Sequence, residues 1–237
     1  DPGDAILLND PFYGGAHLPD LTLVTPVFQD GDIIAFAANR AHHADVGGSR
    51  AGSVAADSTE IYQEGLRIPP VKLFEGGEPN EGLFDMILSN VRTPDERRGD
   101  LRAQEAANET GRRRVTELVE KYGRGQLTAM LEEIKDYSER RMRAEITDLP
   151  DGTYTYDDVL DDDGRGNEAL AIRAAVTIDG DHVSVDFSGS ADQTAGAINA
   201  VFAVTASATY YAVRCVTDPD IPPNHGCYRP IDIEAPD

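Results

Sequence analysis

A single long stretch with helical periodicity, residues 83–147, separates two segments that are patterned as strands. Its apolar residues recur mostly three or four positions apart among charged ones, as in an amphipathic helix. The stripe includes Leu118, Leu127, Met130, Leu131 and Ile134. Strands grouped on either side of a helical block indicate sheets that are segregated from helices. The sequence therefore predicts an α+β fold with mixed sheets and a central helical segment.

Short apolar runs bounded by turn residues define the strands of the first segment. These runs are residues 5–8, 21–24 and 33–38, and the sequence Gln29-Asp30-Gly31-Asp32 predicts a hairpin turn between the last two. Because residues 33–38 are all apolar, we expect them to form a buried strand.

The second patterned segment contains strand-like runs at residues 152–160, 169–178 and 182–187. The uncharged, alanine-rich stretch 195–213 follows, and it is too weakly apolar to cross a membrane, which predicts a buried helix. We therefore divide the chain into a β-rich metal-site region at 1–82, a helical segment at 83–150, and a region at 151–237 with strands followed by a buried helix.

Three of the five histidines and two aspartates fall close together in surroundings rich in glycine and proline. His17 and Asp20 flank Pro19 in one loop, and His42-His43-Ala44-Asp45 follows the apolar strand. Imidazole and carboxylate groups suit Zn²⁺, Mn²⁺ or Fe²⁺, and a catalytic site takes about three protein ligands. We predict that the loop and the strand end form a metal site. The alternative is that these histidines cap turns or bond to the backbone.

The succession of motifs along the whole chain resembles the hydantoinase B family. This family includes the B subunits of ATP-dependent N-methylhydantoinases and 5-oxoprolinases, and related subunits of acetone and acetophenone carboxylases. The motifs that carry the resemblance are Asn9-Asp10-Pro11, Gly14-Gly15-Ala16-His17-Leu18-Pro19-Asp20, His42-His43-Ala44-Asp45-Val46-Gly47-Gly48, residues 60–70, Asn90-Val91-Arg92, Arg98-Gly99-Asp100-Leu101, Lys121-Tyr122-Gly123 and residues 224–230.

The resemblance implies that His17, Asp20 and His42 bind one divalent metal, with a further acidic ligand upstream in some relatives. Because family subunits are longer, we expect this chain to be an internal fragment of a larger subunit. If the three ligands converge on one point, His43 should diverge, since neighbouring strand residues face opposite ways. Asp45 or His43 would orient the ligands by contacting them without contacting the metal, and Glu64 is a candidate for proton transfer.

No phosphate-binding Gly-x-x-x-x-Gly-Lys loop is present in the sequence. By resemblance, ATP is bound by a hydantoinase A-type partner, which phosphorylates the substrate before it reaches the metal on this subunit. The expected activity is ATP-dependent hydrolysis of a small cyclic amide, a hydantoin or 5-oxoproline, by a hetero-oligomer. Two alternatives stay open: a subunit of an acetone or acetophenone-type carboxylase, and a scaffold subunit with a structural metal.

The composition is strongly acidic, with 43 Asp and Glu against 21 Lys and Arg and a formal net charge of −22. Many carboxylates with very little lysine indicate a halophilic protein, because carboxylates stay hydrated while salt screens their repulsion. An ordinary acidic protein of the cytoplasm is the alternative. The basic footprint of a nucleic-acid-binding protein is missing, and the charge disfavours anionic membranes. Two cysteines in a chain of 237 residues are typical of a cytoplasmic protein.

Overall fold

The computed structural model describes residues 1–53 and 55–236. It confirms the α+β fold: the described residues form a five-stranded sheet, a four-stranded sheet and several helices, the longest of which lie between the two sheets in the order of the chain. The chain divides into two compact units, residues 1–127 and 128–237. The helices of the predicted segment 83–150 are thus shared between the two units instead of forming one of their own.

The first unit is built on a five-stranded sheet in which every pairing is antiparallel. Its strands, in spatial order, are β3 (Asp32–His42), β2 (Asp20–Gln29), β1 (Ala5–Leu8), β4 (Val71–Glu75) and β5 (Glu78–Pro79). The helices α1 (Glu81–Leu88) and α2 (Pro94–Tyr122) follow in the chain.

Apolar side chains from the sheet, from α1 and from α2 form one core. Its fully buried members include Leu7, Leu18, Leu21, Leu23, Leu73, Phe84 and Leu101. Leu18 belongs to the predicted metal loop, so that loop is anchored in the core between the histidine and the aspartate.

The β2–β3 hairpin confirms the predicted turn. Gln29 pairs with Asp32, and both residues between them have a positive φ, 52° at Asp30 and 88° at Gly31. Two left-handed residues are what a tight two-residue hairpin requires, because their twist matches that of the strands.

The prediction that residues 33–38 form a buried strand is wrong. The residues do form part of β3, but Ile33 and Phe36 are exposed. β3 is an edge strand of its sheet, and α2 covers only one of its faces. An apolar run shows that a strand can be buried, whereas its place in the sheet decides whether it is.

The second unit contains a four-stranded sheet and two helices. Most of α3 (Arg124–Thr147) lies in it, followed by β6 (Gly152–Asp162), β7 (Glu168–Asp179), β8 (His182–Asp186), α4 (Phe202–Val216) and β9 (Ile231–Glu234). The strand order is β6-β7-β8-β9, with a parallel pairing between β8 and β9. The core consists of Met142, Ile146, Val183, Val185, Ile221 and Cys227.

Helix α4 is less buried than the sequence predicts. Ala206 and Thr209 are its only buried residues, while Phe202 and Tyr211 are exposed. The uncharged stretch 195–213 therefore includes much of a helix with an exposed apolar surface and does not form a buried helix. None of the described helices combines the length and the apolar character needed to cross a membrane.

We expect the stability of the protein to depend strongly on salt. A net charge of −22 repels itself over a Debye length of about 30 Å at 0.01 M salt, against about 3 Å at 1 M. Dilution from molar KCl to 0.01 M KCl should lower the melting temperature, as measured by circular dichroism. Equal melting temperatures at the two concentrations would contradict a halophilic adaptation.

Candidate metal centre

The loop that carries His17 is held by a buried asparagine. The Asn9 amide donates to the backbone oxygens of Leu18 and Leu66, each at 2.8 Å, and its oxygen accepts from the Ile68 amide at 2.7 Å. These three bonds fasten both ends of the segment that precedes β2 to the neighbouring loop. The backbone of the segment that carries His17 is therefore held in one position.

A short turn then brings the chain round to the histidine. Asp10 caps the single 3₁₀ turn Pro11–Tyr13 by accepting from the Phe12 amide, and Gly14 ends it with a φ of 93°. A β-carbon on Gly15 would lie 2.5 Å from the backbone oxygen of Asn9, so only glycine fits there. This explains why the two glycines precede His17.

Three side chains converge at the open end of the β2–β3 hairpin. His17 Nδ1 lies 2.5 Å from Asp20 Oδ2, and His42 Nδ1 lies 3.1 Å from Asp20 Oδ1. The two imidazole rings stack with their centroids 5.2 Å apart. One ligand atom from each residue lies within 4.8 Å of the others. The predicted convergence is confirmed.

The register of the hairpin accounts for this convergence. Asp20, the first residue of β2, pairs directly with His42, the last residue of β3. Directly paired residues point to the same face of a sheet. The 3₁₀ turn and Gly14 bring His17 back over that face, three residues before Asp20.

The donor set fits a divalent transition metal. Two imidazoles and one carboxylate form a three-ligand group of the kind that holds Zn²⁺ or Fe²⁺ with positions open for other ligands. The side chains of His17 and His42 are 53% and 59% exposed, while that of Asp20 is 17% exposed. Solvent and small molecules can therefore reach the point on which the three converge.

His43 points away from this group, as predicted. It is buried, and its Nε2 lies 2.9 Å from Oε1 of Gln104 on α2. Burial lowers the pKa of His43 below 6.5, although the bond to Gln104 opposes this effect. Its hydrogen bond is with the helix and not with a ligand, so any effect of His43 on the ligands acts through the backbone at the end of β3.

A ladder of amides continues from His43 along α2. The Gln104 amide donates to Leu21 O at 2.9 Å and to Asn39 Oδ1 at 2.7 Å, and Asn39 in turn donates to Asn108 at 2.8 Å. Both Gln104 donors are thus used, so its oxygen accepts from His43. The ladder joins α2 to β2 and β3 on the face of the hairpin opposite the three converging side chains.

Asp45 has a different place from the one predicted. Its carboxylate accepts from the backbone of Gly47, Gly52 and Arg92 at 2.9–3.2 Å, and from Arg92 Nη1 at 2.8 Å. Burial would raise its pKa, but these donors hold the pKa at about 2, below the ordinary 3.8. None of its described contacts is with His17 or His42. Asp45 organises the glycine loop, and none of these hydrogen bonds gives it the predicted role of orienting the ligands.

Glu64 is partly buried at the end of the 3₁₀ turn Ile61–Gln63. Within the described part of the chain, no bond connects its carboxylate with the three converging residues. Its role in proton transfer stays a prediction.

Sequence reasoning gave no role to Gln104, Asn108 or Arg92. The first two are amides four residues apart on a helix that is otherwise mostly charged, and that spacing places them on one face. Arg92 lies in a motif that carries the family resemblance, but its carboxylate partner is 47 residues earlier in the chain.

Comparisons with known proteins agree with this architecture. The full length, residues 1–237, matches the family described as hydantoinase B/oxoprolinase. The chain is 37% identical to the caprolactamase subunit beta of Pseudomonas jessenii, covering 98% of this chain and 40% of that protein. It is 34% identical to 5-oxoprolinase 1 of Arabidopsis thaliana, covering 99% of this chain and 20% of that one.

Solved structures give the same result. The crystal structure of the ATP-dependent caprolactamase from Pseudomonas jessenii superimposes with a TM-score of 0.94 and 36% identity, over 100% of this chain and 41% of that one. A nucleotide-free acetone carboxylase superimposes with a TM-score of 0.87 over 97% of this chain and 32% of that one, and at 21% identity it shows a shared fold.

The chain thus spans about two fifths, or less, of the relatives it matches. The match to the family nevertheless extends over every element described above, including the loop of His17 and the end of β3. This chain belongs to the hydantoinase B/oxoprolinase family.

Proposed function

We propose that this chain forms the metal-bearing part of an ATP-dependent cyclic amidohydrolase. Its substrate is a cyclic amide that a hydantoinase A-type partner subunit has phosphorylated. The observation that carries the proposal is the convergence of His17, Asp20 and His42 at a solvent-accessible point. The names of the relatives, a caprolactamase and a 5-oxoprolinase, support a cyclic amide as the substrate class.

The chemistry needs both ATP and a metal site because a cyclic amide is a poor electrophile. Phosphorylation of the carbonyl oxygen activates the ring carbon. In the overall reaction two waters are consumed, the ring C–N bond breaks, and the products are an amino acid derivative, ADP and inorganic phosphate. A divalent ion supplies Lewis-acid chemistry and lowers the pKa of water toward neutrality.

The residues of this chain would perform the following tasks. His17, Asp20 and His42 hold the ion and leave its solvent side open. The His43–Gln104 bond holds the end of β3, so that His42 keeps its position. Asn9 holds the His17 loop. Glu64 is our candidate for proton transfer.

The carboxylase alternative rests on a likeness that shows the fold alone, so we propose the hydrolase. A structural metal is the second alternative. It predicts that metal removal unfolds the protein, whereas an open catalytic site predicts lost turnover in a folded protein.

Activity should require both subunits. We expect the complete B-type subunit, incubated alone with MgATP, divalent metal and a panel of lactams and hydantoins, to release no ADP and no ring-opened product. Addition of the A-type subunit should produce both. The readouts are coupled ADP release and mass spectrometry of the product, and ATP hydrolysis by the B-type subunit alone would contradict the proposed division of labour.

A further inference from the structure

An arginine lies beside the metal group on the same face of the hairpin. Asp20 pairs with His42, and two residues further along each strand Thr22 pairs with Arg40. Alternate residues of a strand share a face, and neighbouring pairs on one face lie about 7–8 Å apart diagonally. The long Arg40 side chain therefore starts one step from the point on which His17, Asp20 and His42 converge.

The guanidinium is held in place without being neutralised. Arg40 Nε donates to Thr22 Oγ1 at 2.9 Å, and Nη2 donates to the Gly14 oxygen at 2.8 Å. Both acceptors are uncharged. Among the described residues no carboxylate forms an ion pair with Arg40, although most arginines of this acidic chain have one, Arg92 and Arg114 among them.

Its remaining donors are available to a ligand. A guanidinium has five N–H groups, of which these bonds use two. Arg40 is exposed, so the other three can bind a molecule arriving from solvent. The planar fork of arginine matches the paired oxygens of phosphate or carboxylate, and such charge-assisted bonds are about twice as strong as neutral ones.

We propose that Arg40 binds the phosphoryl group of the activated substrate next to the metal ligands, and retains inorganic phosphate as a product. This inference rests on the proposed function for the identity of its ligand. A tetrahedral oxyanion offers oxygens in several directions, so one can face the His17–Asp20–His42 group while two others face Arg40. The ligand is thus an O-phosphorylated cyclic amide and not the free lactam.

Binding of inorganic phosphate to the complete subunit tests the inference without turnover. Mn²⁺ shortens the ³¹P relaxation times of phosphate bound close to it, and the same samples report Mn²⁺ affinity by electron paramagnetic resonance. For the wild type we expect strong ³¹P relaxation enhancement that saturates with phosphate. Arg40→Gln should weaken phosphate binding at least tenfold with Mn²⁺ affinity unchanged. Arg40→Lys, which keeps the charge, should recover part of it.

The matched control is Arg114→Gln, which removes an exposed arginine from α2. It should leave phosphate affinity unchanged. Equal phosphate affinity in the wild type and Arg40→Gln would overturn the inference, and so would a parallel loss of Mn²⁺, which would mean that Arg40 only fastens the Gly14 loop. Tighter Arg40-dependent binding of acetate than of phosphate would overturn the phosphoryl assignment.

The two proposals can fail separately. Arg40-dependent phosphate binding in a complex that opens no ring would leave the phosphoryl-binding role of Arg40 standing and remove the amidohydrolase, and with it the cyclic amide as the ligand. Ring opening that needs His17, combined with phosphate binding that does not depend on Arg40, would support the amidohydrolase and overturn the role of Arg40.

Discussion

Replacement of His17 with alanine should reduce ring opening by the complex of both subunits by about three orders of magnitude. His17 supplies one of three ligands, and its loss leaves Asp20 and His42 to hold the ion at an exposed site. A metal contributes several kcal/mol of transition-state stabilisation, and each 1.4 kcal/mol or so is a factor of ten in rate. ADP release by the partner should persist in part, because phosphorylation does not use this ligand.

The matched control is His182→Ala. His182 also pairs with an aspartate, Asp232, at 3.0 Å, but no third ligand joins them among the described residues. The control should therefore retain full ring opening and metal content. Undiminished product formation by His17→Ala would remove the metal from the mechanism.

Asp45→Ala should destabilise the protein by about 3 kcal/mol and leave metal affinity nearly unchanged. The replacement removes the acceptor of three backbone amides and of Arg92, and a buried donor left without a partner costs about 1–3 kcal/mol. Urea unfolding followed by circular dichroism measures the loss. A smaller loss of stability would mean that water accepts the hydrogen bonds that the carboxylate accepts in the wild type.

The same residue contributes to acid sensitivity. The pKa of Asp45, about 2 in the folded protein, lies below the ordinary 3.8, so its stabilising effect is complete above pH 4 or so and is lost as the pH falls toward 2. The difference in stability between wild type and Asp45→Ala should therefore shrink over that range. Glu117→Ala, which breaks an exposed pair with Arg114, should show little change at any pH. A normal stability of Asp45→Ala combined with lost turnover would instead support the predicted role of Asp45 in orienting the ligands.

Local patterns predicted what depends on local geometry. The tight turn at Asp30-Gly31 is specified by its own residues, and strand alternation separates His42 from His43. Asp20 and His42 converge because the hairpin register pairs them directly, and His17 lies only three residues before Asp20.

Burial and long-range partners could not be predicted in this way. The apolar run of β3 is identical whether the strand lies at the centre or at the edge of a sheet, and only the strand order places it at the edge. Asp45 follows the metal-binding motif closely, so proximity in sequence suggested a role beside the ligands. Its partner Arg92 comes from the start of the helical region, and no periodicity connects the two.

The ladder behind the site shows the same limit. Gln104 and Asn108 stand out as amides on a charged helix, but their partners, Asn39 on β3 and His43 just after it, lie more than 60 residues away in the chain. A sequence pattern can mark such residues as unusual. It cannot say which strand they contact.

The central claim is that His17, Asp20 and His42 together hold one divalent ion. Crystals of the complete subunit grown with Zn²⁺ and measured on both sides of the zinc absorption edge test it most directly. We predict one dominant anomalous peak about 2.0–2.2 Å from a ring nitrogen of each histidine and from the Asp20 carboxylate, and its absence in His17→Ala. A dominant zinc peak at other residues, with none at this group under saturating zinc, would contradict the account.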